Sequence, residues 1–256
     1  MTALSPLGAL VRRHDPDRFL TALFAPAEKR EALFLLYAFN HELARAREVT
    51  SEPTLALIRL HWWREVVEGT RRRHEIAGPL GEALDAGVFA AADLLPLIDG
   101  REAETEPSIP TIAEFRSYVL STAGGLAAAA GGVLGADAAT RFRLRTLGGA
   151  YGVAGVLRSR FALARQGRCL LPEDFLGGQG LALDTVRHHP EAADVGGLAA
   201  IGRMMLAEGA GGFPRTVIAA ALPAVLARRD LVRLPVAARG IGDRLAVVAA
   251  YALSRV

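Results

Sequence analysis

Lysine is almost missing from this chain. Lys29 stands alone, and the remaining positive charge is arginine. Cysteine is as scarce: the single Cys169 excludes an internal disulfide and a thiolate metal cluster. Aromatic residues make up only 6% of 256 residues, while Ala, Leu and Val supply most of the apolar mass. That balance disfavours a strand-rich fold and suits packed helices. β-alternation of useful length, tandem repeats and a domain linker are all missing. There is no Ser/His/Asp order, phosphate-binding loop or dinucleotide glycine motif. His41, His61, His74, His188 and His189 show no metal-ligand spacing. The opening "MTALSPLGALVRRHDPDRF" is too weakly apolar, and charged too early, to read as a secretory signal.

What is present is one all-α domain, expected to span residues 1–256. The formal net charge of +3 has two readings. An Arg- and Ala-rich composition can be a background feature of the sequence. Arginine also suits phosphates and acidic lipid head groups through its planar fork of donors. No nucleic-acid partner is expected. The expected location is the cytoplasm or the surface of the cytoplasmic membrane.

Helix signals divide the chain. A first long helix is expected from Pro26 to Val49, with Leu33, Leu36, Tyr37, Asn40, Ala44 and Glu48 on neighbouring faces at three- and four-residue steps. Ser51 and Pro53 open a second, through Glu75. Gly78-Pro79 reads as a break, and "EAETEPSIP" as a loop. Thr111 and Glu114 have capping-box spacing. They start a helix through Ser117–Ala136, 20 residues without charge. Its length would cross a bilayer, but Ala, Gly and Ser dominate it, so a packed interior helix is expected. Asp137 caps a helix reaching Gln166. Further helical regions are expected over Glu191–Leu222 and Val236–Ser254.

Five landmarks follow one another: "LFAPAEKREALFLLYAF", "WWREVVEG", "FRSYVLSTAGGLAAAAGGVLG", "GRCLLPEDFL" and "ALPAVLARRDLVRL". In this order and spacing the chain resembles the squalene/phytoene synthase family over residues 19–234. The resemblance implies a single-domain isoprenoid-synthase-like helical bundle around a central cavity. It also implies two facing Asp-rich helical motifs, which in the enzymes hold Mg²⁺ against a substrate diphosphate. Carried onto this sequence, those acid positions fall on Ala44 and Glu48 in "ARARE" and on Ser159 and Leu163 in "RSRFAL". The polar positions upstream of the second motif fall on Gly152 and Gly155. The frame residues Arg158, Gly167, Arg168, Leu171, Pro172 and Asp174 remain.

Three readings follow from the resemblance. "AFNHELARAREV" is similar to an apparently non-catalytic branch that includes mitochondrial assembly factors for respiratory complex I. That branch implies a pseudoenzyme with no catalytic residue, no cofactor and no metal site, partnered by a respiratory-complex subunit or a membrane surface. A binding protein for an isoprenoid or phospholipid would use Arg45, Arg158, Arg168 and His41 as anion-binding residues, and Tyr37, Asn40, Gly152 and Gly155 as cavity lining. An active head-to-head prenyl transferase would need Mg²⁺ on Glu48, with Glu42 and Asp174 as the carboxylates an improvised site could add. Two local questions stay open. Gly148, Gly152, Gly155 and Ser159 form a stripe of small residues, suited either to close helix contact or to a widened cavity. Arg45 and Arg47 either pair with Glu42 and Glu48 or meet an anion.

Overall fold

The computed structural model describes residues 4–50, 52–234 and 238–256. The expected starts at Ser51 and Val236 lie outside them. The helices are α1 (Pro6–His14), α2 (Pro16–Ala22), α3 (Arg30–Glu48), α4 (Pro53–Val67), α5 (Ala77–Asp85), α6 (Ala91–Glu102) and α7 (Ile112–Val119). They continue as α8 (Gly125–Val133), α9 (Ala138–Arg165), α10 (Glu173–Gly177), α11 (Leu183–His188), α12 (Gly196–Gly209), α13 (Pro223–Val232) and α14 (Ile241–Leu253). The described residues form no sheet, only two isolated bridges.

Side-chain caps start several of these helices. The Ser5 hydroxyl accepts from Gly8 N at 3.0 Å, and the Asp15 carboxylate from Arg18 N at 3.1 Å. The Thr111–Glu114 capping box is complete, and Asp137 accepts from Thr140 N at 2.7 Å, both as expected. Gly78-Pro79 is no break. Both residues sit in the first turn of α5, where the N–H that proline lacks would have no helical partner. Pro26 precedes a short 3₁₀ turn, and the regular helix begins only at Arg30. The region expected to be helical over 191–222 is so only in part: α12 covers Gly196–Gly209, a short 3₁₀ turn follows at Ile218–Ala220, and α13 begins beyond it at Pro223. The N-terminal helices α1 and α2 and the separate α13 had no counterpart among the expected elements.

α9 is the central rod. α8, α12, α13 and the turn before α8 all pack against it. Its small-residue stripe answers both readings at once. A Cβ on Gly148 would lie 2.5 Å from the Ala123 carbonyl oxygen and 2.6 Å from the Ala127 Cβ. One on Gly152 would lie 3.0 Å from Ala123, whereas one on Gly155 would meet nothing within 4 Å. The stripe is therefore a tight helix contact at Gly148 and opens into space at Gly155.

The uncharged stretch is interior, as expected, but it is not one regular helix. Leu120–Gly124 is a π-helical turn. The Thr122 and Ser121 hydroxyls donate to the carbonyls of Tyr118 and Ser117 at 2.7 and 2.9 Å, and Arg145 donates to the Leu120 carbonyl at 3.2 Å. These bonds supply partners to carbonyls that the widened turn displaces. Among the described residues, no helix is long and apolar enough to cross a membrane.

The two ends of the glycine stripe should respond oppositely to an added methyl. Gly148→Ala is expected to destabilise the fold by about 1–3 kcal/mol through overpacking. Gly155→Ala should stabilise it by up to about 1 kcal/mol through helix propensity. Urea unfolding of both variants measures the contrast, and equal destabilisation would contradict it.

Candidate functional site

A cavity of about 700 Å³ opens beside α9. Its walls come from the α1–α2 junction (His14–Arg18), α3 (Asn40, His41, Ala44, Glu48), the end of α6 (Arg101, Glu104) and α7 with the π turn (Tyr118, Thr122, Ala123). The second half of α9 supplies Tyr151, Gly152, Gly155, Arg158, Ser159 and Leu163, and later segments add Arg168, Leu170 and Arg239. The volume lies in the range of ordinary small-molecule pockets.

Most of the residues singled out from the sequence do converge here. Ala44 and Glu48 on α3 and Ser159 and Leu163 on α9 all line the cavity, as do Asn40, Gly152, Gly155, His41, Arg158 and Arg168. Two do not. Arg45 is outside the lining: it lies at the flank of the inward face and pairs with Glu42 at 2.9 Å. Tyr37 lies deeper, fully packed, in a narrow void shared with Arg18 and Tyr151. Arg47 also departs from expectation: it donates to the Thr50 carbonyl at 2.6 Å rather than pairing with Glu42 or Glu48.

Five arginines and four carboxylates are in the lining, and all of them but Glu48 are sorted into two clusters. In the first, Arg239 grips Asp17 at 2.7 Å and Asp230 at 2.8 Å. Arg158 reaches Asp230 at 3.0 Å and Asp17 at 3.4 Å, and the Tyr151 hydroxyl donates to Asp17 at 3.0 Å. Burial alone would raise the Asp17 carboxyl. The Arg239 hydrogen bonds and charge, with Arg158 and Tyr151, outweigh it and hold the group below its usual 3.8. Arg18 pairs with Asp15 at 2.7 Å and stacks 4.7 Å over Tyr151.

The second cluster surrounds Glu104, which is 7% exposed. It accepts from Tyr118 at 2.7 Å, pairs with Arg101 at 2.5 Å and meets Arg168 at 3.5 Å. Arg101 also donates to the Asn40 side chain at 3.2 Å. The other terminal nitrogen of Arg168 is buried without a partner among the described residues. Burial, with the neighbouring His14 adding repulsion, lowers the pKa of His41. The ring, stacked 4.3 Å from His14, is therefore mainly neutral near pH 7. It is a poor cation for an anionic ligand.

Sequence reasoning missed Asp15, Asp17, Arg18, Arg101, Glu104, Asp230 and Arg239. A signal existed for one of them. Asp230 falls three and four residues after Ala227 and Leu226, on the buried stripe of α13, where periodicity calls for an apolar side chain.

Mg²⁺ needs several free oxygen ligands, and the lining does not supply them. Asp15, Asp17 and Glu104 are committed to arginine. The Ser159 hydroxyl donates to the Gly155 carbonyl at 2.9 Å, and Ala44 and Leu163 offer no oxygen. Glu42 is paired with Arg45, and Asp174 accepts from Ile112 N at 3.0 Å, at the start of α7. Among the described residues, no three His, Cys, Asp or Glu side chains are grouped to hold a metal. The residues present therefore do not fit the ion.

A profile described as squalene/phytoene synthase matches residues 11–254. The chain belongs to the squalene/phytoene synthase family. Solved structures of the family share its architecture. A dehydrosqualene synthase in complex with ligand superposes with a TM-score of 0.76 at 14% identity, over 96% of this chain and 94% of that one. Squalene synthase HpnC from Alicyclobacillus acidocaldarius gives 0.71 at 19% identity, over 88% and 90%. At these identities the likeness concerns the fold.

Within the family, curated relatives are NADH dehydrogenase (ubiquinone) complex I, assembly factor 6. The human protein is 30% identical over 44% of this chain and 35% of its own length. The bovine protein is 29% identical over 64% and 51%, and the rat protein 28% over 68% and 54%. The chain thus spans about half or less of the length of these relatives.

The first ion cluster should carry stability. Asp17→Asn leaves buried guanidinium charge uncompensated and is expected to cost about 3 kcal/mol at pH 7. Because the folded carboxyl titrates below its unfolded value, its contribution is full above about pH 4 and lost as pH falls through the lowered folded value. Urea midpoints should therefore separate wild type from Asp17→Asn at pH 7 and converge in acid. A constant gap would contradict the ion-pair account.

Proposed function

We propose that this chain is a non-catalytic member of its family, acting in the assembly of respiratory complex I. The observation that carries this reading is the commitment of three of the four cavity carboxylates, Asp15, Asp17 and Glu104, to arginine. An enzyme that ionises an allylic diphosphate must bring metal-held positive charge to the leaving group. Here the positions that the resemblance assigns to metal ligands are Ala44, Ser159 and Leu163, with Glu48 alone keeping a carboxylate. The names of the complex I assembly factor 6 relatives support the assignment of process. Under this reading the cavity is an inherited binding space, and a respiratory-complex subunit or the membrane around it is the partner. An isoprenoid or phospholipid tail is the ligand class that suits its size, with Arg158 and Arg168 at its polar wall.

Deletion of the gene should lower NADH:quinone oxidoreductase activity in isolated membranes and leave the isoprenoid profile unchanged. Unchanged oxidoreductase activity with loss of a squalene- or phytoene-type product would refute the proposal.

One observation favours a second reading, an active Mg²⁺-dependent prenyl transferase: Glu48 is exposed and lines the cavity. If that reading holds, the purified chain converts farnesyl diphosphate to a head-to-head product, and Glu48→Gln abolishes the conversion. On the non-catalytic reading neither protein yields product.

A further inference from the structure

We propose that the outer face of α14 docks on an anionic lipid bilayer. This surface is separate from the cavity chemistry. α14 buries Asp243, Val247 and Ala250 against the bundle. Its opposite side presents Ile241 at 77% exposure, Leu245 at 62% and Val248 at 49%, and its C-terminal end exposes Leu253 at 76%. Residues 241, 245 and 248 repeat at helical spacing, so they form one stripe. Leaving four large apolar side chains of one short helix in water is a cost that a covering surface would remove.

Charge identifies what covers it. From Ala210 to Val256 the sequence has seven arginines and only two acidic side chains, Asp230 and Asp243. Both acids are buried and occupied, Asp230 by Arg158 and Arg239 and Asp243 by Arg229. Arg244, beside the stripe, and Arg215, Arg228, Arg233 and Arg255 are exposed. Among the described residues from Ala210 to Val256, the exposed charged side chains are therefore all cationic. An apolar stripe bordered by arginine fits the boundary between acidic head groups and acyl chains. A second copy meeting it through the same segment would bring the same arginines and no exposed acid from that segment, so its charge opposes self-association there.

Geometry agrees with a helix lying in the interface. Thirteen residues span about 20 Å, short of the ~30 Å hydrocarbon core. Its first residue, Ile241, follows the cavity residue Arg239 by two positions. Docking α14 thus places one end of the cavity next to the lipid surface.

The test is co-sedimentation with vesicles of phosphatidylcholine alone and of phosphatidylcholine mixed with phosphatidylglycerol. Wild type should sediment with the anionic vesicles, less so as salt rises. The double variant Ile241→Ser/Leu245→Ser should bind them about tenfold more weakly or worse while keeping its far-ultraviolet helical spectrum. Arg244→Glu leaves the stripe intact and should reduce the preference for phosphatidylglycerol, which keeps the idea testable if the double variant fails to fold. Wild type that stays in the supernatant, or a folded double variant that sediments like wild type, overturns the proposal. So does a wild-type dimer in light scattering that the double variant converts to monomer, because the face would then belong to a second copy.

Discussion

The Asp17–Arg239–Asp230–Arg158 cluster is the constraint on which the rest of the cavity depends. It joins α2, α9, α13 and the segment leading into α14, elements more than 200 residues apart in sequence. Each carboxylate meets two guanidinium groups, so each charge removed from water is compensated, which buried ions require. The same bonds consume the oxygens that a divalent cation would need. One arrangement thus stabilises the bundle and sets what its cavity can bind.

The wall around Glu104 repeats the principle. Arg101 ties this acid to Asn40 on α3, and Tyr118 ties it to α7. Between the two clusters, the open half of the α9 stripe leaves room at Gly155 and beside Ser159. The cavity is consequently polar and pre-paired along its walls and smooth along one strip of α9. Such a space can receive an apolar chain without forcing any ion pair to open. Departing diphosphate is a different demand, because its charge would have to compete with carboxylates for every arginine.

Much of the fold was legible because local chemistry and long-range packing agreed. Asp137 and the Thr111–Glu114 box announced helix starts that tertiary contacts then kept. The landmark segments pointed to the family, and the cavity gathered most of the residues named from it. What was not legible depended on partners distant in sequence. Asp17 and Glu104 carry no pairing signal in the sequence; α9 and the segment leading into α14 bring arginines to Asp17, and Arg101, Tyr118 and Arg168 converge on Glu104. Arg45 had the right neighbourhood, but its guanidinium pairs with Glu42 at the flank of the inward face. Gly78-Pro79 misled because a proline in a first turn looks, in sequence, like one that ends a helix. The π turn at Leu120–Gly124 carries no periodicity signal in a run of Ala and Gly.

If arginine holds the cavity carboxylates and leaves no site for Mg²⁺, the ion should not change what the cavity binds. The most direct measurement is calorimetric titration of farnesyl diphosphate into the purified protein, once with Mg²⁺ and once with excess chelator, with released diphosphate assayed in both. The account predicts the same isotherm in both buffers and no diphosphate release. Binding that tightens only with Mg²⁺, accompanied by diphosphate release, would contradict it.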